Sequence, residues 1–291
     1  MNRLHALLAA ILAAVPAVAF ALDPGVARGE LVLDGEKIPL THAYALRQDD
    51  TEGLMDGPEL RILLADRELS TDLLAGPVLS DLDQLARDGG VKGVLLRVEA
   101  DRPPESVRGT VLHAPPDPQQ SLPFFTKSGQ GGGFTRFELG DKRVVGEVEE
   151  KPDAEAGLPG VPVYGYRASF SAPVFEDRRV TANLQGKEAR QSAQAKAFLA
   201  FEKVLREGDL QKLRAAVSPA RWRETEQFIA MVGEAQFKAQ VHEMVPPTAT
   251  REKQIERVVV RENRATVIYK EAGARGFTVL VKDGGTWKIS G

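Results

Sequence analysis

Across 291 residues, 38 Lys+Arg nearly balance 41 Asp+Glu, 43% of the chain is hydrophobic, 27% is charged, and there is no cysteine. This globular balance excludes a disordered, collagen-like or disulfide-scaffold chain. Zero cysteines also exclude a thiolate zinc site, an iron–sulfur cluster, a cysteine nucleophile and a lipid-attachment cysteine.

The chain opens on an export signal. In Met1 to Ala21, Arg3 is the only charged residue, and Leu4 to Ala21 is apolar apart from His5 and Pro16. A short basic start, an apolar run and a small-x-small ending suit signal peptidase, with cleavage placed after Ala21. An uncleaved anchor would need about 20 apolar residues to span a bilayer. Pro16 and the Leu22-Asp23-Pro24-Gly25 turn argue against it. The remainder is expected to be a soluble exported protein, periplasmic or extracellular, off the membrane once the signal is removed.

Splitting the charges is more informative than summing them. From Lys187 onward there are 19 Lys+Arg and 13 Asp+Glu; the residues before it hold 19 and 28. An acidic part thus precedes a basic one, so the two are expected either to attract one another across a polar interface or each to meet an oppositely charged partner. The pattern changes at the same place, from period-two alternation with Gly and Pro to helical periodicity after Gly186. We divide the chain into a signal (1–21), a β-rich part (22–185) and an α+β part (186–291).

In the β-rich part, Gly29 to Leu33 and Lys37 to Leu40 flank Asp34-Gly35, a hairpin dipeptide in which both residues accept positive φ. Further strands are expected over 60–65, 91–98, 107–113, 134–139, 143–148 and 163–170. One helix is expected from the Ser70-Thr71-Asp72 cap cluster through Leu73, Leu74, Val78, Leu82 and Leu85 to Asp88-Gly89-Gly90. Strands at this spacing predict an antiparallel sandwich or small barrel.

Two loops there have the composition of ligand sites. Asp49, Asp50, Glu52, Asp56 and Glu59 are oxygen ligands of the kind calcium takes, but their spacing does not match a calcium loop, and a solvated acidic turn is the plainer reading. Lys127-Ser128-Gly129-Gln130-Gly131-Gly132-Gly133 places its Lys-Ser before the glycines and leads into a strand, the reverse of a phosphate loop, and reads as a connector. The proline clusters at 103–104, 115–118 and 159–162 mark connections.

The α+β part begins with a helix carrying Ala197, Phe198, Phe201, Val204 and Leu205, stopped by Gly208. Asp209 caps a short helix with Leu210, Leu213 and Val217. Ser218-Pro219 restarts the chain as cap and first helical residue. Trp222, Thr225, Ile229 and Val232 form its apolar face, Phe237 and Val241 continue beyond Gly233, and Pro246-Pro247 ends the helices. Strands are expected over 255–260, 265–269, 277–281 and 287–290, giving helices followed by an antiparallel meander, an α+β fold.

This order, with the Glu207-Gly208-Asp209-Leu210 turn, the Val217-Ser218-Pro219 restart and the closing Gly285-Thr286-Trp287-Lys288-Ile289, resembles the nuclear transport factor 2-like superfamily over about Ala193 to Ser290. The resemblance implies a cone in which a curved sheet wraps a long helix, with a pocket at the open end and homodimers formed through the sheet. Some members are ketosteroid isomerases or dehydratases that use Tyr, Asp or His inside the cone; others bind small molecules or proteins. The Tyr–Asp pair and carboxylate base of the isomerases have no aligned counterpart here.

Other motifs are equally quiet. Gly-x-Ser-x-Gly, Ser-x-x-Lys and His-Glu-x-x-His are missing from the sequence, and His42, His113 and His242 lie far apart. No cofactor, metal or nucleic acid is expected. The expected cone lining is Trp222, Phe228, Phe237, Tyr269, Phe277 and Trp287. Two functions follow from the resemblance and the missing acid–base set. The first is a non-enzymatic exported protein that binds a small apolar molecule or an envelope protein through the cone. The alternative is an isomerase, dehydratase or hydrolase, which needs two titratable side chains converging within hydrogen-bond reach inside the pocket.

Overall fold

The computed structural model describes residues 22–100, 107–114, 126–128, 132–152, 162–271 and 273–290. The expected signal (1–21), the glycines at 129 and 131 and most of the proline clusters lie outside the described residues. The fold is α+β, built on two antiparallel sheets.

The first sheet has nine strands in the order β6-β5-β4-β3-β2-β1-β9-β8-β7. They are β1 (Val26–Leu33), β2 (Glu36–Gln48), β3 (Glu59–Ala65), β4 (Gly93–Glu99), β5 (Arg108–Leu112), β6 (Thr126–Ser128), β7 (Gly132–Leu139), β8 (Arg143–Glu150) and β9 (Tyr164–Glu176). The Asp34-Gly35 turn joins β1 to β2 with φ of 48° and 85°, as that dipeptide requires. Because β1 is short and its neighbours are long, β2 and β9 meet beyond its end in a parallel pairing from Ala45↔Val174 to Arg47↔Glu176.

The sheet curls onto itself. A Cβ on Gly109 of β5 would lie 2.7 Å from the Tyr166 hydroxyl of β9, although the two strands are far apart in strand order. Its concave face closes over Leu31, Leu40, Ile62, Leu96, Val148 and Phe170, all almost wholly buried. The convex face carries a second apolar cluster, Leu46, Leu63, Leu95 and Leu112, covered by Leu74, Leu82 and Ala86. Covered on both faces, β3 is buried at every residue, which is why its sequence runs almost continuously apolar. The covering segment is two pieces rather than the single helix expected: a 3-10 turn (Thr71–Leu74) capped by Ser70, then α1 (Ser80–Arg87). Gly76, at φ 99°, and Pro77 break it between them.

The second sheet has the order β10-β11-β12-β13-β14, from β10 (Ala182–Gln185), β11 (Ile255–Arg261), β12 (Arg264–Glu271), β13 (Ala274–Asp283) and β14 (Thr286–Ile289). Residues 182–185 therefore pair with this sheet although they precede the change of pattern in the sequence. Between β10 and β11 lie α2 (Gly186–Gln191), α3 (Ala193–Glu207), α4 (Leu210–Ala216), α5 (Pro219–Val232), α6 (Glu234–Met244) and α7 (Thr248–Gln254). The expected Asp209 and Ser218 caps are present, accepting from the amides of Lys212 and Arg221 at 3.1 and 3.2 Å, and Ser192 caps α3 in the same way, accepting from Ala195 at 3.1 Å. Gly208 closes α3 at φ 68°. Phe198 on α3 packs into a core with Leu213, Val217, Val258, Val267, Leu280 and Ile289. Helix α7 was not expected; its Thr-Ala-Thr-Arg-Glu-Lys-Gln sequence has no apolar face, and Arg251 anchors it through ion pairs instead. Among the described residues, no helix is long and apolar enough to cross a membrane.

Candidate functional site

The two sheets meet at the tip of the β11–β12 hairpin. Arg261 and Arg264 are its last facing pair, so both guanidinium groups leave the same face of the sheet. Two facing cations repel. They are tolerated because acidic residues of the first part surround them. Arg261 uses all five of its N–H groups: to Glu52 from Nε and Nη2 at 2.9 and 3.1 Å, to Asp49 from Nη1 at 3.1 Å and from Nη2, and to the Arg178 carbonyl from Nη1 at 2.7 Å. Asp177 stands between the two arginines, 3.6 Å from Arg261 Nε and 2.6 and 2.8 Å from Arg264 Nη2.

The node is buried: Arg261 and Glu52 are 2% and 3% exposed. Burial alone disfavours the Arg261 charge, but the Glu52 and Asp49 hydrogen bonds outweigh it and push its pKa up. Partial burial likewise works to raise Asp49, yet the bonds from Arg261 and Thr51 hold it below the usual carboxylate range.

Asp177 is fixed from the first sheet. It directly follows β9, its amide donates to the Arg47 carbonyl at 3.1 Å, and Gln48 Nε2 donates to it at 2.8 Å. Gln48 Oε1 in turn accepts the Gly76 amide at 2.9 Å, and the Gly76 carbonyl accepts Arg61 Nη1 at 2.6 Å. The Arg264 guanidinium lies against Gly76 so closely that a Cβ there would be 3.2 Å from Nη1 and 3.3 Å from Cζ. A ring of contacts thus runs from Gly76 through Gln48, Asp177 and Arg264 back to Gly76.

The acidic loop is therefore not the solvated turn expected: Glu52 and Glu59 are buried, and three of its carboxylates hold guanidinium groups. Asp49 and Glu52 bind Arg261, while Glu59 binds Arg61 at 2.6 Å and Arg97 at 3.0 Å. Burial works to raise Glu59, and the two arginines more than reverse it. Among the described residues, no group of three His, Cys, Asp or Glu side chains could hold a metal.

Beside the node the sheets leave a cleft of two chambers, about 190 and 450 Å³, which share Leu73, Asp81, Val281 and Ser290. Arg178, Asn263 and Arg264 line the smaller chamber, and Asp88, Ser218 and Arg223 the larger. Near it on α1, burial pushes Asp83 up to about 6, with Glu224 adding to the rise and Arg87 and Arg97 opposing it.

Of the six aromatic residues expected to line a cone, Trp222, Tyr269 and Trp287 pack against the same core that buries Phe237. Phe237 is buried in the core and Phe228 is 41% exposed, the two rings meeting edge to face at 6.2 Å. Tyr269 stacks on Phe198 at 5.2 Å and lies under the Arg251 guanidinium at 4.3 Å. Trp287 packs against the core, and Phe277 is half-buried opposite Ile268. Trp222 alone of the six borders a described cavity, about 340 Å³ between α4 and α5, with Leu210, Gln211, Arg214, Glu226 and Ile229. Arg214 sits 5.7 Å over its ring, and its buried Nε1–H has no acceptor among the described residues.

One titratable cluster in this part escaped sequence reading. Glu202 of α3 is held by Arg251 Nε at 2.8 and 2.9 Å, and Arg251 also reaches Gln254 at 3.0 Å and Glu271 at 2.9 Å. Burial pushes Glu202 up to about 7 against the pull of Arg251. The signal available in the sequence was a charge inside an apolar run: Arg61 in Leu60-Arg61-Ile62-Leu63 and Arg261 after Val258-Val259-Val260. Such residues are buried only when paired.

Comparison with protein-family models, curated proteins and solved structures returned no match.

Proposed function

We propose that this is an exported, non-catalytic binding protein whose α+β part takes an apolar group, from a small molecule or from an envelope protein, in the groove between α4 and α5. The observation that carries the reading is the Trp222 groove. Leu210, Trp222 and Ile229 supply an apolar floor, and Arg214 and Glu226 a charged rim. Concave apolar sites with a few polar groups are the usual form of ligand pockets.

The test uses the two tryptophans. In a Trp287→Phe variant the remaining indole is Trp222, and its emission is titrated with decanoate and with 1-anilinonaphthalene-8-sulfonate. A saturable change that disappears in Ile229→Arg supports the groove; emission indifferent to both probes removes it. Export is tested by N-terminal sequencing of the protein recovered from the envelope, with Leu22 expected first.

The isomerase-type alternative rests on Glu202, a buried carboxylate pushed up to about 7 beside Arg251 and Tyr269. Its oxygens are already engaged by Arg251, which favours a structural role. Proton exchange at the α-carbon of a ketosteroid, abolished by Glu202→Gln, would reverse that preference.

A further inference from the structure

Helix α7 is fastened by one side chain. Of its seven residues only Arg251 is buried, and none belongs to the apolar core of the second part. The Arg251 guanidinium lies 4.3 Å over the Tyr269 ring, which stacks on Phe198. It donates from Nη2 to Glu271 on β12, from Nη1 to Gln254 and from Nε to both oxygens of Glu202 on α3. The chain is anchored on either side of the helix, by Arg206 at the Val245 carbonyl and by Ile255, 1% exposed. Residues 246–254 thus form a strap pinned at Arg251.

The pin serves two carboxylates with one positive charge. Glu202, 5% exposed, shares a single Arg251 N–H between its two oxygens, and no other donor reaches it among the described residues, although a carboxylate has room for about four. Glu271 is half exposed and partly hydrated. Ionised together, the two leave the cluster one negative charge in excess, which burial penalises. The neighbouring groups do not offset it. Arg206 of α3 is committed to the Val245 carbonyl, His242 of α6 faces the Arg206 carbonyl, Lys270 of β12 pairs with Glu256 of β11 on the opposite face of the sheet, and Glu252 and Lys253 of α7 are exposed. Burial accordingly pushes Glu202 up to about 7, with Arg251 opposing the rise and Glu271 adding to it.

We propose that α7 is a charge-controlled strap, seated while the Glu202–Arg251–Glu271 cluster is neutral and released, with Arg251 leaving the Tyr269 ring, when the cluster carries a net negative charge. Release lets water reach Glu202 and uncovers the face of Tyr269 that Arg251 covers. A carboxyl whose closed-state pKa of about 7 lies above its ordinary 4.5 favours the closed form most below 4.5, and loses that advantage as pH rises through about 7. The strap therefore opens toward alkaline pH. It is separate from the Trp222 groove and stands or falls independently of it.

The experiment is native-state amide hydrogen exchange of the full chain lacking residues 1–21, read as protection factors so that the intrinsic pH dependence of exchange is removed. Between pH 5 and pH 8 the protection of the α7 amides is expected to fall about tenfold or more, while that of the central strand β12 stays unchanged. Glu202→Gln keeps an acceptor for Arg251 but cannot ionise, and should hold the strap protected at both pH values. Glu271→Gln, at the exposed edge of the cluster, should reduce the fall. The double variant Glu202→Gln/Arg251→Met removes the pin without orphaning Glu202; its α7 amides should lose protection at both pH values while β12 keeps its own. Wild-type protection indifferent to pH, a pH dependence unchanged in Glu202→Gln, or α7 as protected in the double variant as in Glu202→Gln alone overturns the proposal. Should Glu202→Gln fail to fold, an undiminished fall in Glu271→Gln does the same.

Discussion

Replacing Arg261 by Ala is expected to uncouple the two parts of the chain while leaving the core of each intact. The substitution removes all five hydrogen bonds of the node and leaves Glu52, 3% exposed, as a buried carboxylate without its guanidinium partner, whereas Asp177 keeps its bonds from Arg264 and Gln48. Asp49, half exposed, loses less because water reaches it. Breaking a buried ion pair from one side costs about 3–5 kcal/mol, most of it the penalty of the orphaned charge. Arg261 sits at a hairpin tip outside the apolar core of the second part, so the loss falls on the junction.

The assay follows from where the tryptophans lie. Trp222 and Trp287 both belong to the second part, so fluorescence reports that part alone, whereas far-ultraviolet dichroism reports both. In urea the two probes are expected to coincide for the wild type and to separate for Arg261→Ala. The double variant Arg261→Ala/Glu52→Gln should recover part of the loss, because it removes one orphaned carboxylate. A single-variant loss below about 0.5 kcal/mol, with coincident transitions, would refute the reasoning.

Asp49 and Glu59 are held below their ordinary values, so the stability they contribute is full above the unfolded carboxylate range and is lost as pH falls below about 4; an acid titration of Arg261→Ala should show a shallower loss than wild type. Asp83 has the opposite sign. Its folded pKa of about 6 makes the wild type lose stability as pH rises from about 4 through 6. Asp83→Asn should therefore gain on the order of 1–2 kcal/mol relative to wild type between pH 4 and pH 8, and a pH-independent difference would contradict the burial argument. Gly76→Ala combines a φ of 99° with a Cβ 3.2 Å from Arg264 Nη1. It should cost about 1–3 kcal/mol and reproduce the uncoupling of Arg261→Ala. Ser218→Ala removes the cap of α5 and should lower the melting transition by the equivalent of about 1 kcal/mol.

Local chemistry made much of this architecture legible in advance. Asp34-Gly35, Gly208, Asp209 and Ser218-Pro219 each act on a backbone within a few residues of themselves, and each stands where its own preference puts it. The helix expected over 70–88 failed for a related reason: the apolar spacing of Leu73, Leu74, Val78 and Leu82 suits one helix, but Gly76-Pro77 denies it the hydrogen bonds between. Helix α7 went unseen because an ion pair, not an apolar stripe, fastens it.

The charge asymmetry shows where sequence ends and tertiary structure begins. Composition by segment determined that an acidic part precedes a basic one and that the loop from Asp49 to Glu59 is rich in carboxylates, which read as a solvated turn. It did not determine what those carboxylates hold, because Asp49 and Arg261 are more than two hundred residues apart and meet only when the convex face of one sheet receives the hairpin tip of another. The same distance hid the cleft, whose walls are distant segments. Capping and turn preferences act through the nearest backbone and can be read along the chain; burial and ion pairing act through space, and only the folded molecule sets those distances.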